Sequence, residues 1–275
     1  MKIRLLSAAV AAAITLVSFG AVAADLAAIK QKGEIVIGTL GTDEPNSFID
    51  PKTRQIVGYE IDLGNEIAKD LGVKPVFKQI SVAARIPELQ QGRVDILAAS
   101  LTHNKEREAL VDFSYSILIT GQKALVKKSS GITALDQLAD KKVLTVKGGT
   151  QEPNIRKAIP SAQVVTFETS QQALLALQQG KGQAFVDDES ALVNDFAKIG
   201  SAAAGYSILP ENLSNEALAI ALPKDSGELK VAVDKTLTRL ESSGEAEKLY
   251  LKWYGPGTKS NLPARHFKID SDQVE

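Results

Sequence analysis

The chain has 275 residues, a formal net charge of −1 at pH 7 and no cysteine. This charge balance argues against a nucleic-acid-binding protein, which needs a strongly basic surface. The lack of cysteine excludes disulfide bonds and thiol chemistry. The fold must therefore be held by burial alone, and a chain of this length can bury enough surface as one large or two medium domains.

The first 23 residues have the pattern of a secretory signal. Lys2 and Arg4 precede an apolar, alanine-rich run over residues 5–19, and Ala21-Val22-Ala23 matches an A-x-A cleavage site. We expect cleavage after Ala23 and export of a soluble product, most simply into a bacterial periplasm. Because the signal carries two basic residues and no acidic one, its removal changes the formal charge from −1 to −3. The run is short for a membrane anchor, no acylatable cysteine follows it, and no later stretch reaches the ~18 apolar residues of a spanning helix.

Strand-like and helix-like segments then alternate along the chain. Leu63, Ile67 and Leu71 share one face of a predicted helix that ends at Gly72. Two rounds of β-α-β-α-β predict two α/β lobes rather than one sheet. The first round comprises strands over 34–38, 73–80 and 94–99, with the helix ending at 72 and another over 86–91. The second comprises strands over 142–146, 163–167 and 184–186, with helices over 151–158 and 170–179, and a further helix over 190–198 follows it.

Two apolar, extended stretches, 117–126 and 217–222, are candidates for crossing between the lobes. If both cross, the first lobe is discontinuous, with residues 24–121 and 218–275, and the second lobe is 122–217. A ligand would bind in the cleft, where strand ends and helix N-termini face each other. The C-terminal helix is predicted over 227–254, with a break at Ser243-Gly244, and residues 261–275 are predicted to be a surface tail.

Several motifs follow one another in a recognisable order. They are Gly58-Tyr-Glu-Ile-Asp-Leu63, Gly92-Arg-Val-Asp-Ile96, Thr102 with Arg107 and Asp112-Phe-Ser114, Gly149-Thr150, Ala184-Phe-Val-Asp-Asp188, and Ser243-Gly-Glu-Ala-Glu-Lys248. Together they resemble family 3 of the bacterial periplasmic solute-binding proteins. The resemblance implies a two-lobe type II periplasmic binding protein fold with a double-strand hinge and a ligand cleft. It also implies closure on a polar amino acid and docking on the membrane permease of an ABC importer, and the pattern is most similar to the glutamate/aspartate-binding members.

Ser100, Thr102 and Arg107 follow the strand predicted over 94–99. A guanidinium offers a planar fork of N–H donors that can pair with a carboxylate through two hydrogen bonds, and hydroxyls at a strand end can complete such an anion site. By charge pattern alone, Arg107 would be a solvated member of the charged run 105–108. The resemblance implies instead that Arg107 and Thr102, helped by Ser100, hold the α-carboxylate of the ligand.

Asp188 comes at the end of an apolar strand, and the resemblance implies that it receives the α-ammonium of the ligand. Side chains alternate along a strand, so only one of Asp187 and Asp188 should face the cleft. The choice of Asp188 rests on alignment with the family pattern. The acidic cluster could instead cap the helix that follows.

Two further residues are candidates for contact with the side chain of the ligand. Thr150 closes a Gly-Gly-Thr turn before a predicted helix, whose N-terminal N–H groups attract anions. Arg85 lies in an Arg-Ile-Pro stretch similar to one in glutamate and aspartate receptors, and a second cleft arginine would suit a side-chain carboxylate. A surface position for Arg85 is an equal alternative. Leu40 and Ser170 depart from the acidic-ligand pattern, in which arginine and histidine can occur at these positions.

Other residues carry weaker signals. Phe48 and Tyr115 could pack on the ligand, although core packing is the commoner fate of such aromatics. His103 and His266 have no partner at a metal-ligand spacing, so we expect neither a metal site nor a cofactor. Ser100 lacks the G-x-S-x-G elbow of a serine hydrolase.

We therefore expect a monomeric binding protein, not an enzyme, whose partners are an amino acid and a permease. One alternative is an enzyme on the same scaffold, such as a cyclohexadienyl dehydratase, with Asp187 or Glu189 as the acid. A receptor for a polar or neutral rather than an acidic amino acid is a second alternative. A sensor domain or an adhesin is a third, and the lack of a transmembrane or wall-anchoring segment disfavours it.

Overall fold

A computed structural model describes residues 26–272 of the protein. The signal predicted over residues 1–23 and its cleavage after Ala23 lie outside these described residues. Within residues 26–272, no helix combines the length and the apolar character needed to span a membrane.

Helices and strands alternate as expected, which confirms the α/β class. The strands are β1 (Glu34–Thr39), β2 (Thr42–Asp43), β3 (Ser47–Ile49), β4 (Ile56–Val57), β5 (Lys74–Gln79), β6 (Ile96–Leu97), β7 (Val111–Lys127), β8 (Lys142–Val146), β9 (Gln163–Phe167), β10 (Ala184–Asp188), β11 (Tyr206–Ile208) and β12 (Ser214–Pro223). The helices are α1 (Leu26–Lys32), α2 (Tyr59–Leu71), α3 (Arg85–Gln90), α4 (Lys105–Glu108), α5 (Gln151–Ala158), α6 (Ser170–Gln178), α7 (Glu189–Lys198), α8 (Gly227–Ser242) and α9 (Glu245–Tyr254).

Two long strands connect the two halves of the molecule. Strands β7 and β12 pair antiparallel from Val111–Pro223 at one end to Gln122–Ser214 at the other. They lie in the middle of one strand path, β5-β1-β6-β12-β7-β10-β8-β9, with β11 also paired to β7. These strands contain the stretches 117–126 and 217–222 that were predicted to cross between the lobes.

The core divides into two groups of apolar clusters on either side of this strand pair. One group draws its buried side chains from residues 29–118 and 218–269, and we call this part the first lobe. The other draws them from residues 124–209, and we call it the second lobe. Val82 of the first lobe also packs against a cluster of the second lobe, so the lobes are in contact.

Strand β6 is shorter than the strand predicted over 94–99. Its last residue is Leu97, and Ser100 three residues later has a positive φ of 49°, which interrupts the extended backbone. The carbonyl groups of Ala99 and Ser100 then accept hydrogen bonds from the Arg85 guanidinium, at 2.9 and 2.6 Å, instead of from a neighbouring strand. The early end of β6 therefore exposes Ser100 and the residues after it to the space between the lobes.

The C-terminal region differs from the prediction in one respect. The long helix is split as expected, because Gly244 adopts a left-handed φ of 73° between α8 and α9. The predicted surface tail is wrong, since Ile269 is fully buried in the core of the first lobe. Arg265 also forms ion pairs with Glu241 at 2.6 Å and Glu247 at 3.1 Å, which hold this segment against α8 and α9.

Ile269→Ala tests whether the C-terminal segment is part of the core. Removing this fully buried side chain leaves a cavity, so the free energy of unfolding should fall by about 2–5 kcal/mol. Leu262→Ala is the matched control, because Leu262 is 38% exposed and should cost about 1 kcal/mol or less. Urea denaturation measures both variants, and equal small losses would show that the segment is only loosely attached.

Candidate functional site

A cavity of about 320 Å³ lies where the two lobes meet. This volume is within the range of small-molecule sites. Its apolar lining consists of Leu40, Ile80, Val82, Val146 and Ala191, and its polar lining includes Thr42, Asp43, Gln79, Ser81, Arg85, Ser100, Thr102, Thr150, Gln151, Glu168, Thr169, Ser170, Asp187 and Asp188.

Most of the predicted site residues line this cavity. They are Arg85, Ser100, Thr102, Thr150 and Asp188, and the specificity positions Leu40 and Ser170 line it too. Arg107 lies beside the cavity and is not part of its lining. Phe48 packs edge-on against Trp253 at 5.9 Å and Tyr115 lies under Lys230, so neither aromatic takes the predicted place in the lining.

Arg85 is buried, so the alternative of a surface arginine is wrong. Its guanidinium donates to the carbonyl groups of Val82, Ala99 and Ser100 in the first lobe, and to that of Gly148 in the second lobe at 3.0 Å. Burial and the neighbouring positive charge of Arg107 lower the pKa of the Arg85 guanidinium. Because four of its five N–H groups already have acceptors, Arg85 has little capacity left for a ligand carboxylate.

Arg107 has the donors that Arg85 lacks. Its guanidinium donates to the Thr102 carbonyl at 2.8 Å and to the Gly148 carbonyl at 3.5 Å, and its other N–H groups find no acceptor within residues 26–272. The short helix α4 positions it, since the Asn104 side chain caps that helix by accepting from the Arg107 backbone N–H at 2.9 Å. A half-buried guanidinium with free donors therefore lies next to Thr102.

Both Asp187 and Asp188 line the cavity, so the prediction that only one faces the cleft is wrong. Strand alternation stops here because α7 begins at the next residue, and the Asp188 N–H donates to Asp187 Oδ1 at 3.0 Å. Gln151 Nε2 donates to Oδ1 of both carboxylates, at 3.0 and 3.2 Å, and Ser170 Oγ donates to Asp187 Oδ2 at 2.7 Å. Burial raises the pKa of Asp187 to about 7 and that of Asp188 well above its ordinary value.

Two carboxylates near Ser100 were missed by the sequence analysis. Glu60, in the first turn of α2, accepts from the Ser100 N–H at 2.8 Å and is buried. Asp43 accepts from Ser100 Oγ and, at 3.1 Å, from Asn46 Nδ2. Burial, and then the negative charge of Asp43, raise the pKa of Glu60 to about 8. The signal for Glu60 was an acidic residue between the apolar residues Tyr59 and Ile61.

Thr150 connects the site to the two hinge strands. Its hydroxyl accepts from Gln122 of β7 at 2.8 Å and donates to Glu216 of β12 at 3.0 Å. It also lies 3.4 Å from the Thr102 hydroxyl of the first lobe. Because Glu216 already takes its one O–H donor, Thr150 has no donor left for a ligand side chain. Its hydroxyl instead links the cavity lining to β7 and β12.

The two lobes are closed on each other. Besides the Arg85–Gly148 contact, Gln171 Nε2 of the second lobe donates to the Thr42 carbonyl of the first at 2.9 Å. Gly148 has a positive φ of 85°, and a Cβ placed on it would lie 2.6 Å from the Cα of Ala83. The close approach of these two backbones thus requires glycine.

Glu60→Gln tests the buried carboxyl group. With a pKa of about 8, folded Glu60 keeps its proton at pH values where the unfolded side chain, with a pKa of 4.5, has lost it. The free energy of unfolding of the wild type should therefore fall as the pH rises from about 4.5 to about 8. Glu60→Gln should reduce this fall by about 2–5 kcal/mol, as measured by urea denaturation between pH 5 and 9. The exposed Glu228→Gln is the control, and an equal slope in both variants would contradict the assignment.

Comparison with known proteins places the chain in a family. Residues 35–256 match the profile of the bacterial extracellular solute-binding proteins, family 3. The glutamine-binding protein GlnH of a Bacillus subtilis (strain 168) ABC transporter is 34% identical over 232 residues, which cover 83% of this chain and 84% of the relative. The glutamate/aspartate import solute-binding protein of Escherichia coli (strain K12) is 29% identical over 263 residues, covering 90% and 84%.

Solved structures agree with this placement. An ancestral arginine-binding protein bound to arginine superposes with a TM-score of 0.76 at 34% identity and covers 81% of this chain and 99% of that one. The ancestral amino acid-binding protein AncCDT-1, a precursor of cyclohexadienyl dehydratase, has a TM-score of 0.76 at 32% identity, covering 84% and 99%. The expected two-lobe type II periplasmic binding protein fold is thereby confirmed. The chain belongs to the family 3 bacterial extracellular solute-binding proteins, whose members include the amino-acid receptors of ABC importers.

Proposed function

We propose that this protein is the periplasmic receptor of an ABC importer for a polar amino acid. The observation that carries the proposal is that two oppositely charged groups at the cavity between the lobes have hydrogen-bonding atoms without a partner in the described part of the chain. Arg107 has free N–H donors beside Thr102, and Asp188 has an oxygen, Oδ2, that accepts no hydrogen bond within the described residues. An α-amino acid carries one carboxylate and one ammonium, which complement these two groups.

In this proposal, Arg107 holds the α-carboxylate with help from the Thr102 hydroxyl. Charge-assisted hydrogen bonds of this kind are strong where water is excluded, as it is between closed lobes. Ser100, which was also expected to help, already donates its hydroxyl to Asp43 and its N–H to Glu60.

Asp188 holds the α-ammonium. Burial raises the pKa of Asp188 in the empty cavity, and an incoming ammonium would favour its ionised form again. Ligand binding and closure therefore support each other.

In this proposal, closure of the two lobes on the amino acid precedes its delivery to the permease. The mature protein would begin at Ala24 and act as a monomer, with lobes formed by residues 24–121 with 218–275 and by residues 122–217. Strands β7 and β12 would serve as the hinge, and binding would shift the equilibrium to the closed form. The permease of the importer would then recognise the closed form.

The expectation of glutamate or aspartate as the ligand depended on Arg85. That argument weakens, because Arg85, although it lines the cavity, already donates to four backbone carbonyl groups. Leu40 and Ser170, which line the cavity, also bring no positive charge to a side-chain carboxylate. The class of side chain must therefore be inferred from the other polar groups of the lining.

An enzyme on this scaffold is a second candidate, and one observation favours it. Burial raises the pKa of Asp187 to about 7, so this carboxyl group can carry a proton in the cavity, as a general acid must. Glu189, the other proposed acid, pairs with Lys123 at 2.7 Å and does not contribute to the lining. Asp187 itself is held by Ser170 and Gln151, which suits a structural acceptor at least as well.

Isothermal titration calorimetry of the mature protein with a panel of amino acids tests the proposal. The panel includes glutamate, aspartate, glutamine, cystine, arginine and neutral amino acids, and we expect saturable heat from at least one polar member. Prephenate and arogenate are incubated in parallel and assayed for aromatic product. Heat from no amino acid would refute the receptor, and turnover of prephenate or arogenate would establish the enzyme instead.

Arg107→Ala should weaken binding of every cognate amino acid at least about 30-fold, because it removes one partner of a charge-assisted pair common to all of them. Arg156→Ala is the matched control, since Arg156 lies on the outer face of α5 in an ion pair with Glu152. Calorimetry measures both affinities. If Arg107→Ala binds as tightly as Arg156→Ala, Arg107 does not anchor the carboxylate.

Gly148→Ala should weaken binding about 10-fold or more, because the added Cβ meets the Ala83 backbone only when the lobes close. Gly131→Ala separates this clash from backbone strain. Gly131 also has a positive φ, 70°, but nothing lies within 4 Å of a Cβ built there. Both variants should lose similar stability in thermal denaturation, yet only Gly148→Ala should lose affinity. Equal affinities would show that closure does not bring these two backbones together.

A further inference from the structure

The cavity is lined by more carboxyl groups than cationic groups. Asp43 of the first lobe and Asp187 and Asp188 of the second line it, with Glu60 directly behind Ser100. Glu168 lines the exposed rim of the cavity and pairs with Lys147 at 3.7 Å. Arg85 is the cation of the lining, and Arg107, beside it, is committed to the α-carboxylate in the proposed function. An amino acid adds equal charges through its α-carboxylate and α-ammonium. The excess of carboxylates therefore remains unless the side chain of the ligand is positive.

The hydrogen bonds show which carboxylates are free to receive a ligand. Both oxygens of Asp187 are in use, since Oδ1 accepts from Gln151 and from the Asp188 N–H while Oδ2 accepts from Ser170. Asp43 is held through Oδ2 alone, by Ser100 and Asn46, and Asp188 through Oδ1 alone, by Gln151. One oxygen of Asp43 and one of Asp188 therefore accept nothing within residues 26–272.

A third acceptor atom in the cavity, Oε1 of Gln151, also lacks a hydrogen-bond donor within the part of the chain that the structure describes. Gln151 is 7% exposed and lines the cavity, and its Oε1 atom is buried without a hydrogen-bond partner among the described residues. Its Nε2 atom is used by Asp187 and Asp188, which determines the orientation of the amide. A buried acceptor without a donor costs free energy, so a ligand with several N–H groups would relieve it.

Electrostatic interactions within the cavity also favour a ligand that carries positive charge. The negative charge of Asp43 acts across the cleft on both Asp187 and Asp188, and it helps burial to raise their pKa values and that of Glu60. A side-chain carboxylate would add to this repulsion, whereas a cation between the lobes would remove it. The apolar wall formed by Leu40, Ile80 and Val82 suits the methylene groups that separate two cationic ends of one molecule.

We infer that the ligand is an amino acid whose side chain ends in a cation, with Asp43 receiving that cation while Asp188 receives the α-ammonium. This inference rests on the proposed function and specifies the ligand class for the same site. Two free carboxylate oxygens, one from each lobe, match two cationic groups of arginine, lysine or ornithine. The lobes then close on a ligand that neutralises both.

Arginine and citrulline provide the sharpest comparison, because they have nearly the same shape and only arginine is charged. The mature protein should bind arginine, lysine or ornithine at least about 30-fold more tightly than citrulline, glutamine or glutamate in calorimetry at pH 7.5. In Asp43→Asn, the affinity for the best cationic ligand should exceed the affinity for its neutral counterpart by about 3-fold or less. For arginine, the neutral counterpart is citrulline. Asp225→Asn, at an exposed turn away from the cavity, should keep the wild-type ratio.

The possible results separate the inference from the proposed function. Tight binding of citrulline, glutamine or glutamate by the wild type, at or above the affinity for all three cationic amino acids, overturns the inference and leaves the amino-acid receptor intact. Failure of every amino acid to bind overturns both. A wild-type preference for a cation that survives in Asp43→Asn overturns the role of Asp43. The wild-type ratio needs no variant, so it decides the ligand class even if Asp43→Asn folds poorly.

Discussion

The antiparallel pairing of β7 with β12 is the interaction on which the rest of the molecule depends. The two strands share a ladder from Val111–Pro223 to Gln122–Ser214, and the sheets of both lobes extend from it. The ladder contains register irregularities between Leu218 and Ala221, close to the point at which one core ends and the other begins. Bulges let a strand pair bend without losing its hydrogen bonds. The same strands therefore join the two cores through a ladder that can bend.

The position of the cavity follows from this arrangement. Strand β6 ends early in the first lobe and β10 ends at Asp188 in the second, so both place polar side chains into the space next to the hinge. Glu216 and Gln122, one on each hinge strand, bind the Thr150 hydroxyl and thereby connect the strand pair to the cavity wall. These contacts link the strand pair directly to a residue of the cavity lining.

Burial of charge is the main cost of closure. Arg85 offsets part of it by donating to carbonyl groups of both lobes, which makes the arginine a bridge in the closed form rather than a ligand contact. The carboxyl groups of Glu60, Asp187 and Asp188 also accept hydrogen bonds, yet burial still raises the pKa of each. Groups of this kind mark functional sites, because stability alone would not retain them. A cationic ligand, as inferred above, would bring positive charge to these groups.

Local sequence patterns determined the elements and the family of this protein. The apolar spacing of Leu63, Ile67 and Leu71 predicted α2, and alternating strand and helix segments predicted two α/β lobes, because both patterns arise from contacts close in the chain. Most of the site residues predicted from the sequence, including Thr102 and Asp188, line the cavity. Only the tertiary structure could show that Arg85 is saturated by carbonyl groups, that Asp43 and Glu60 meet at Ser100, and that Ile269 is buried. Each of these outcomes joins residues far apart in the chain, and their free energies depend on solvent exclusion that no local pattern records.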